Sequence, residues 1–137
     1  MVKTEYKYSE ITGKIIGCAM EVHNALGNGF QKVIYQRSLA YKMEVQKIGF
    51  AREFEMPVYY KKLQVGLRRV DFLVESNIRV ALKAKTQVEP VHFAQAIHYL
   101  EGYNLEVGLL INFGNTKLEI HRLQNKKYKS SQASYLS

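Results

Sequence analysis

Disulfide chemistry and secretion signals are almost absent from this sequence of 137 residues. It contains one cysteine, Cys18, so no intramolecular disulfide can form and a reducing compartment is indicated. The N-terminal segment MVKTEYKYSE carries charges where a signal peptide needs an apolar run. The longest apolar stretch, VGLLINF at 107–113, is far too short to span a bilayer. We therefore expect a cytoplasmic protein with no membrane partner.

Signatures of several common catalytic sites are also missing. The sequence contains no CxxC pair, no Walker loop and no Ser-His-Asp signature. His92, His98 and His121 do not show the spacing of metal ligands. These absences argue against a zinc protein, a P-loop nucleotide-binding protein and a triad hydrolase.

Acidic residues are scarce relative to basic ones. The chain has 20 Lys and Arg against 12 Asp and Glu, a net charge of +8 and a pI near 9.5. Such an excess favours a polyanionic partner, DNA or RNA, over a role in solubility alone. Apolar residues make up 47% of the sequence, which is enough to bury a core in a domain of this length.

The apolar pattern changes its period along the chain and predicts an α/β fold with a mixed sheet. Helical spacing predicts three helices, at about 10–26, from Phe30 to a stop at Gly49, and at about 90–102. Alternating or continuous apolar runs predict five strands: 50–60, 64–75 and 78–84 as an antiparallel meander, then LEVGLLINF and KLEIHRL. The helix between the third and fourth strands implies a crossover and hence a mixed sheet. We expect one domain over residues 1–123 and a polar tail over 124–137.

The segments RRVDFLVE and VALKAK place Asp71 and Lys83 on neighbouring strands. Metal-dependent phosphodiester hydrolysis needs carboxylates to hold Mg²⁺ and a cation to stabilise developing charge, so these residues supply two of the parts. Side chains alternate along a strand, so Lys83 shares a face with Ala81 and not with Leu82. A two-residue turn at Ser76-Asn77 would set Asp71 opposite Leu82. The site therefore assembles only if the connection has an odd length or one strand carries a bulge.

Several blocks of sequence, in order, resemble the GxxExxY proteins of the PD-(D/E)xK nuclease superfamily. They cover about residues 9–123 and are KIIGCAMEVHNALGNGF, Tyr35, VDFLVE, VALKA, PVHFAQAIHYL and VGLLINFG. The resemblance implies a restriction-endonuclease-like αβββαβ core with an extra N-terminal helix, and a Mg²⁺ or Mn²⁺ cofactor. It also implies that Asp71 is the motif aspartate, Lys83 the motif lysine, Gln95 the helix-borne glutamine and Glu21 an acid from the first helix.

Two positions depart from the family pattern. Lys32 stands where the name-giving motif has Glu, and Ala81 replaces the Glu of the ExK pair. Asp71, Glu21 and the backbone carbonyl of Leu82 remain as metal ligands. The loss of a strong ligand and the gain of a cation predict that metal binding and water activation are weakened or lost.

Three functions are compatible with these residues. The favoured one is a pseudoenzyme that binds DNA or RNA without efficient cleavage, through basic residues on or near the strands: Lys61, Lys62, Arg68, Arg69, Arg79 and Lys85. The second is an active Mg²⁺-dependent endo- or exonuclease that uses Asp71, Lys83 and Glu21. The third is a non-catalytic structural homodimer in which the site is vestigial.

Overall fold

The computed structural model describes residues 8–129, which form three helices and five strands. Along the chain these are α1 (Ser9–Leu26), α2 (Lys32–Val45), β1 (Phe50–Tyr60), β2 (Leu63–Val74), β3 (Ile78–Lys83), α3 (Pro90–Gly102), β4 (Val107–Asn112) and β5 (Glu119–Gln124). The types and the order of the elements agree with those predicted from the apolar pattern.

The five strands form one sheet in the order β1-β2-β3-β4-β5. β3 and β4 run parallel and are joined through α3, whereas the other neighbouring strands are antiparallel. The predicted mixed α/β sheet, with a meander followed by a crossover helix, is therefore confirmed.

Different helices cover the two faces of the sheet. Buried residues of α1 and α2, including Ile15 and Leu39, form one core cluster with alternate residues of β2, β3 and β4. α3 lies on the opposite face, where a Cβ added at Gly108 of β4 would be 3.2 Å from the Leu100 side chain. The central strands are consequently buried on both sides, as the nearly continuous apolar run in β4 indicates.

Tyr35 fastens the connection between α1 and α2. Its hydroxyl donates to the Gly27 carbonyl at 2.6 Å and accepts the Phe30 N–H at 3.2 Å. Its ring is fully buried and stacks on Phe113, with centroids 4.6 Å apart. These contacts fix the start of α2 and, with it, the position of Lys32, the first residue of that helix.

Helix α2 ends at Val45, before the stop predicted at Gly49. Lys47 adopts a φ of 60°, and the Ile48 N–H donates to the Met43 carbonyl at 2.9 Å. This is a Schellman arrangement in which lysine takes the left-handed position usually held by glycine, with Ile48 buried beside the helix. The apolar contact of Ile48 explains why the helix ends before the glycine is reached.

Packed structure continues beyond the predicted domain boundary at residue 123. β5 ends at Gln124, and Asn125 is buried, with its amide donating to the carbonyls of Leu100 and Leu105. The polar tail predicted over 124–137 therefore begins later than expected, and its part from 130 to 137 lies outside the described residues. Within residues 8–129, no helix has both the length and the apolar character needed to cross a membrane.

Candidate functional site

The connection between β2 and β3 determines which residue Asp71 faces. Phe72 pairs with Val80, and the connection contains three residues, 75–77, instead of the two expected. Continuing this register places Asp71 opposite Ala81. The odd-length connection that the predicted site requires is therefore present.

The Asp71 carboxylate is buried where the pairing of β2 with β3 ends, and the residue is 8% exposed. Its Oδ2 accepts the backbone N–H of Leu82 at 2.8 Å. Its Oδ1 accepts the side-chain amide of Gln36 at 2.8 Å and lies 3.0 Å from the Lys32 ammonium. Three donors thus surround this carboxylate, and one of them carries a full positive charge.

An open cleft of about 290 Å³ adjoins this carboxylate. Lys32 and Gln36 lie one turn apart on α2, so both project from the same side of the helix into the cleft. Glu53 of β1 and Arg69 of β2 complete its polar lining. Glu53 adopts a φ of 51°, a strained conformation for a bulky residue, and the strand register sets it opposite Asp71. With two acidic and two basic side chains, the cleft has a formal charge of zero.

Lys83 lies beside this group on β3 and forms no ion pair with a carboxylate of residues 8–129. Burial lowers the pKa of Lys83, the nearby Lys32 ammonium lowers it further, and Asp71 acts in the opposite direction. Ala81, two residues earlier, is 5% exposed and presents only a methyl group on the face that Lys83 shares. The structure therefore brings Asp71 of β2 near Lys83 of β3. β3 itself contains no acidic residue.

Two arginines lie on an aromatic ring at the α3 side of the sheet. The guanidinium carbons of Arg79 and Arg68 are 4.1 Å and 5.8 Å from the Tyr99 ring centroid. Burial lowers the pKa of Arg79, and its Nε is buried with no hydrogen-bond partner among the described residues. The Tyr99 hydroxyl donates to Met56 Sδ at 2.8 Å, which ties α3 to the β1–β2 hairpin. The two guanidinium groups therefore place positive charge on both sides of the contact between α3 and the hairpin.

Two of the residues implied by the resemblance are not brought to Asp71. Glu21 pairs with the Lys42 ammonium at 2.7 Å on the surface between α1 and α2. Lys42 lies about 15 Å along the α2 axis from Lys32, which separates Glu21 from the carboxylate that it was expected to join. Gln95 is exposed on α3 and forms no hydrogen bond with any described residue.

The other basic residues predicted to contact nucleic acid follow the same two strands. Lys61 and Lys62 form the turn of the β1–β2 hairpin, and Lys85 follows β3. The buried Asn112 holds the Lys85 backbone, accepting its N–H at 2.9 Å and donating to its carbonyl at 2.8 Å. Residues 60–85 contain seven basic and two acidic side chains, a net +5 of the chain's +8.

The residues around Asp71 do not fit the Mg²⁺ or Mn²⁺ ion that the resemblance implies. Such an ion requires several oxygen ligands with free lone pairs. One Asp71 oxygen already accepts the Leu82 N–H, and the other contacts both Gln36 and the Lys32 ammonium, whose charge would repel a dication. Within residues 8–129, no three His, Cys, Asp or Glu side chains are grouped so that they could hold a metal.

Gln36 and Glu53 are site residues that the sequence did not reveal. The spacing of four between Lys32 and Gln36 on a helix is a signal that could have found the first. Finding Glu53 would have required the register of β1 against β2. Its unusual φ is visible only in the structure.

Comparisons with known proteins agree with this architecture. A family model described as the PD-(D/E)XK nuclease superfamily matches residues 9–123, and no curated protein matches the chain. A solved structure described as "Crystal structure of SSO0001" is similar with a TM-score of 0.54 at 15% identity, covering 93% of this chain. This chain spans 63% of the length of that protein, and at such low identity the similarity shows the fold alone. By the family match over most of its length, the chain belongs to the PD-(D/E)XK nuclease superfamily.

Proposed function

We propose that this protein binds DNA or RNA on a nuclease scaffold without the metal-dependent cleavage typical of its superfamily. The observation that carries the proposal is the Lys32 ammonium, 3.0 Å from Asp71 Oδ1. Nucleases of this superfamily typically use Mg²⁺ or Mn²⁺, and the ligands of such an ion must present free lone pairs. In this chain a side-chain cation neutralises the carboxylate that would hold the ion.

The neighbouring positions support the same interpretation. Ala81 offers no carboxylate, and the backbone N–H of Leu82 donates to Asp71 Oδ2. Lys83 is left without an acidic partner in residues 8–129. A group of ammonium ions stabilises a phosphate electrostatically, but it does not generate the hydroxide nucleophile that a metal ion provides. These residues are therefore suited to hold a phosphodiester rather than to hydrolyse it.

The proposed contact surface extends from this site along β2 and β3. Within residues 8–129, none of its seven basic side chains forms an ion pair, and five of them are exposed, whereas Arg79 and Lys83 are partly buried. They are Lys61, Lys62, Arg68, Arg69, Arg79, Lys83 and Lys85. Neutralising phosphates releases counterions, so the affinity should decrease steeply as salt is added.

A salt titration of the affinity tests binding, with labelled single-stranded DNA, duplex DNA and RNA followed by fluorescence anisotropy. If all seven side chains contact phosphates, log K should fall with log[salt] with a slope of about −6 for duplex DNA and about −5 for a single strand. Arg68→Glu with Arg69→Glu should lower both affinity and slope. Reversing the exposed Lys14 on α1 to Glu is the control and should change both little. Absent or salt-independent binding would reject the proposal.

Cleavage is tested separately, with Mg²⁺ or Mn²⁺ and with single-stranded, duplex and branched DNA and RNA as substrates. We expect no products from the unchanged chain, and metal-dependent products from the double variant Lys32→Glu/Ala81→Glu. Products from the unchanged chain that disappear in Asp71→Asn would instead support the active nuclease. A stable two-chain mass in sedimentation, combined with no nucleic-acid binding, would support the structural homodimer.

A further inference from the structure

The outer part of the β1–β2 hairpin is an exposed two-stranded arm. β2 pairs with β3 only through residues 72–74, whereas β1 follows β2 as far as the Tyr60–Leu63 pair. Four large side chains near the tip of this arm are 57–65% exposed: Tyr59, Tyr60, Leu63 and Val65. The arm therefore ends in aromatic and apolar side chains beside the two lysines of its turn.

One face of the arm continues from the paired arginines. Met56 pairs with Arg68, and both approach Tyr99 of α3. The pairing shifts register between Val58 and Tyr59, with the extra residue, Val65, in β2. Alternation along β1 therefore still sets Tyr60 on the same face as Met56, about 13 Å nearer the tip. Gly66 lies on this face between Arg68 and Tyr60, and a Cβ added there would meet no atom within 4 Å. Gly66 adjoins the register shift in the pairing of β1 with β2, and its missing side chain leaves an open surface between the arginine and the tyrosine.

The turn itself uses residues that its backbone does not favour. Lys61 and Lys62 adopt φ values of 47° and 71°, in the left-handed region where two-residue hairpin turns prefer Asn and Gly. The Lys61 ammonium lies 5.4 Å from the Tyr60 ring centroid. The turn therefore keeps two lysine side chains at an exposed tip, next to the Tyr60 ring.

We propose that the Tyr60 face of the arm stacks on the unpaired bases of single-stranded nucleic acid, while Arg68 and Lys61 hold the phosphates on either side. The proposal rests on the proposed nucleic-acid binding and adds the class of substrate. An exposed aromatic ring stacks on any base, and flanking positive charge tracks the backbone. A duplex encloses its base faces and offers only groove edges and phosphates. An exposed ring next to an open glycine therefore suits a single strand better than a duplex.

The test compares the affinities of the unchanged chain and of Tyr60→Ala for a single strand and for a duplex of equal length. We expect the single-strand affinity to fall about tenfold or more, and the duplex affinity to change less than about twofold. Tyr41→Ala, which removes a 66% exposed ring from α2, is the matched control and should change neither. Because the chain has no tryptophan, Tyr60→Trp supplies a unique fluorophore that the single strand should quench and the duplex should not.

A second variant keeps the test independent of the tyrosine. Gly66→Leu fills the open position without a clash, so thermal unfolding should be unchanged while single-strand affinity falls. Equal losses for both substrates in Tyr60→Ala, or unchanged single-strand affinity, would overturn the stacking proposal and leave nucleic-acid binding intact. If the unchanged chain shows no salt-dependent binding, both proposals fail. A shift of Tyr60→Trp emission on anionic vesicles, with no effect of nucleic acid, would assign the arm to membrane surfaces instead.

Discussion

Replacing Lys32 and Ala81 by glutamate together should convert the cleft beside Asp71 into a divalent-cation site. With Lys32, Glu53, Arg69 and Asp71 in its lining, the cleft has a formal charge of zero. Lys32→Glu changes that charge to −2, and Ala81→Glu, opposite Asp71 in the register, brings it to −3. The double variant thus offers the carboxylates and the negative field that a hard dication requires.

The expected magnitude follows from the linkage of metal binding to folding. Without metal, the variant should lose about 1–2 kcal/mol, because repulsion replaces an ion pair whose lysine side chain is 47% exposed and partly screened. If Mg²⁺ then binds with a Kd of about 1 mM, about 10 mM Mg²⁺ should restore about 1.4 kcal/mol. For a domain of this size, that corresponds to a rise in Tm of about 5 °C.

Thermal unfolding followed by circular dichroism, with and without Mg²⁺ or Mn²⁺, measures this effect. The unchanged chain should show no metal-dependent rise in Tm, and adding Asp71→Asn to the double variant should remove the rise. Glu21→Gln in the double variant should leave the rise intact, because Glu21 pairs with Lys42 instead of facing the cleft. A rise in the unchanged chain that Asp71→Asn abolishes would refute the argument that Lys32 takes the place of the metal.

Three further outcomes are expected. Asp71→Ala should lower the free energy of unfolding in urea by about 3 kcal/mol, because a buried backbone N–H and a side-chain amide lose their acceptor; a variant of unchanged stability would contradict this. Lys61→Asn with Lys62→Gly should raise the free energy of unfolding by about 1 kcal/mol, because Asn and Gly adopt the left-handed conformation of this turn more readily than lysine. The same variant should bind nucleic acid more weakly; an unchanged affinity would show that the turn does not contribute to binding. Since burial lowers the pKa of Lys83, its contribution to affinity should be lost as the pH rises through a range below 10.5. Lys83→Arg should flatten this pH profile in anisotropy measurements, and identical profiles would count against the assignment.

The types of the helices and strands could be predicted because the apolar period changes sharply between helix and strand. The register of β2 against β3 could not be predicted in the same way. The sequence suggested a turn at Ser76-Asn77, whereas Glu75 and Ser76 adopt φ values of 50° and 61° in a three-residue connection. Nothing in a glutamate indicates a left-handed backbone. One additional loop residue decides whether Asp71 faces Ala81 or the residue after it. A one-residue error in the predicted register leaves the predicted fold unchanged. It alters the predicted site, because each shift by one residue moves every side chain of the strand to the other face of the sheet.

The resemblance identified residues of β2 and β3 but could not show which other elements approach them. Gln36 contacts Asp71 because the buried side chains of α2, including Tyr35, hold that helix beside the point where β2 and β3 stop pairing. Glu53 joins it through the pairing of β1 with β2. Glu21 shows the opposite outcome: the resemblance implied that it joins the site, but its carboxylate contacts Lys42. Motifs report residue types, and tertiary packing decides which of those residues meet.

Under the proposed function, the ion pair between Lys32 and Asp71 explains how the aspartate is kept in a site that binds no metal. A buried carboxylate needs a compensating charge or several donors, and removal of both would leave it strongly destabilising. Here the protein supplies a cation at 3.0 Å together with two hydrogen bonds, so Lys32 helps to stabilise the buried Asp71 carboxylate. A neutralised Asp71 no longer repels a phosphate, and the basic side chains of β2 and β3 can attract the backbone without a bridging metal. The proposed binding without cleavage therefore requires no change in the fold, only a lysine ammonium in place of a metal ion beside Asp71.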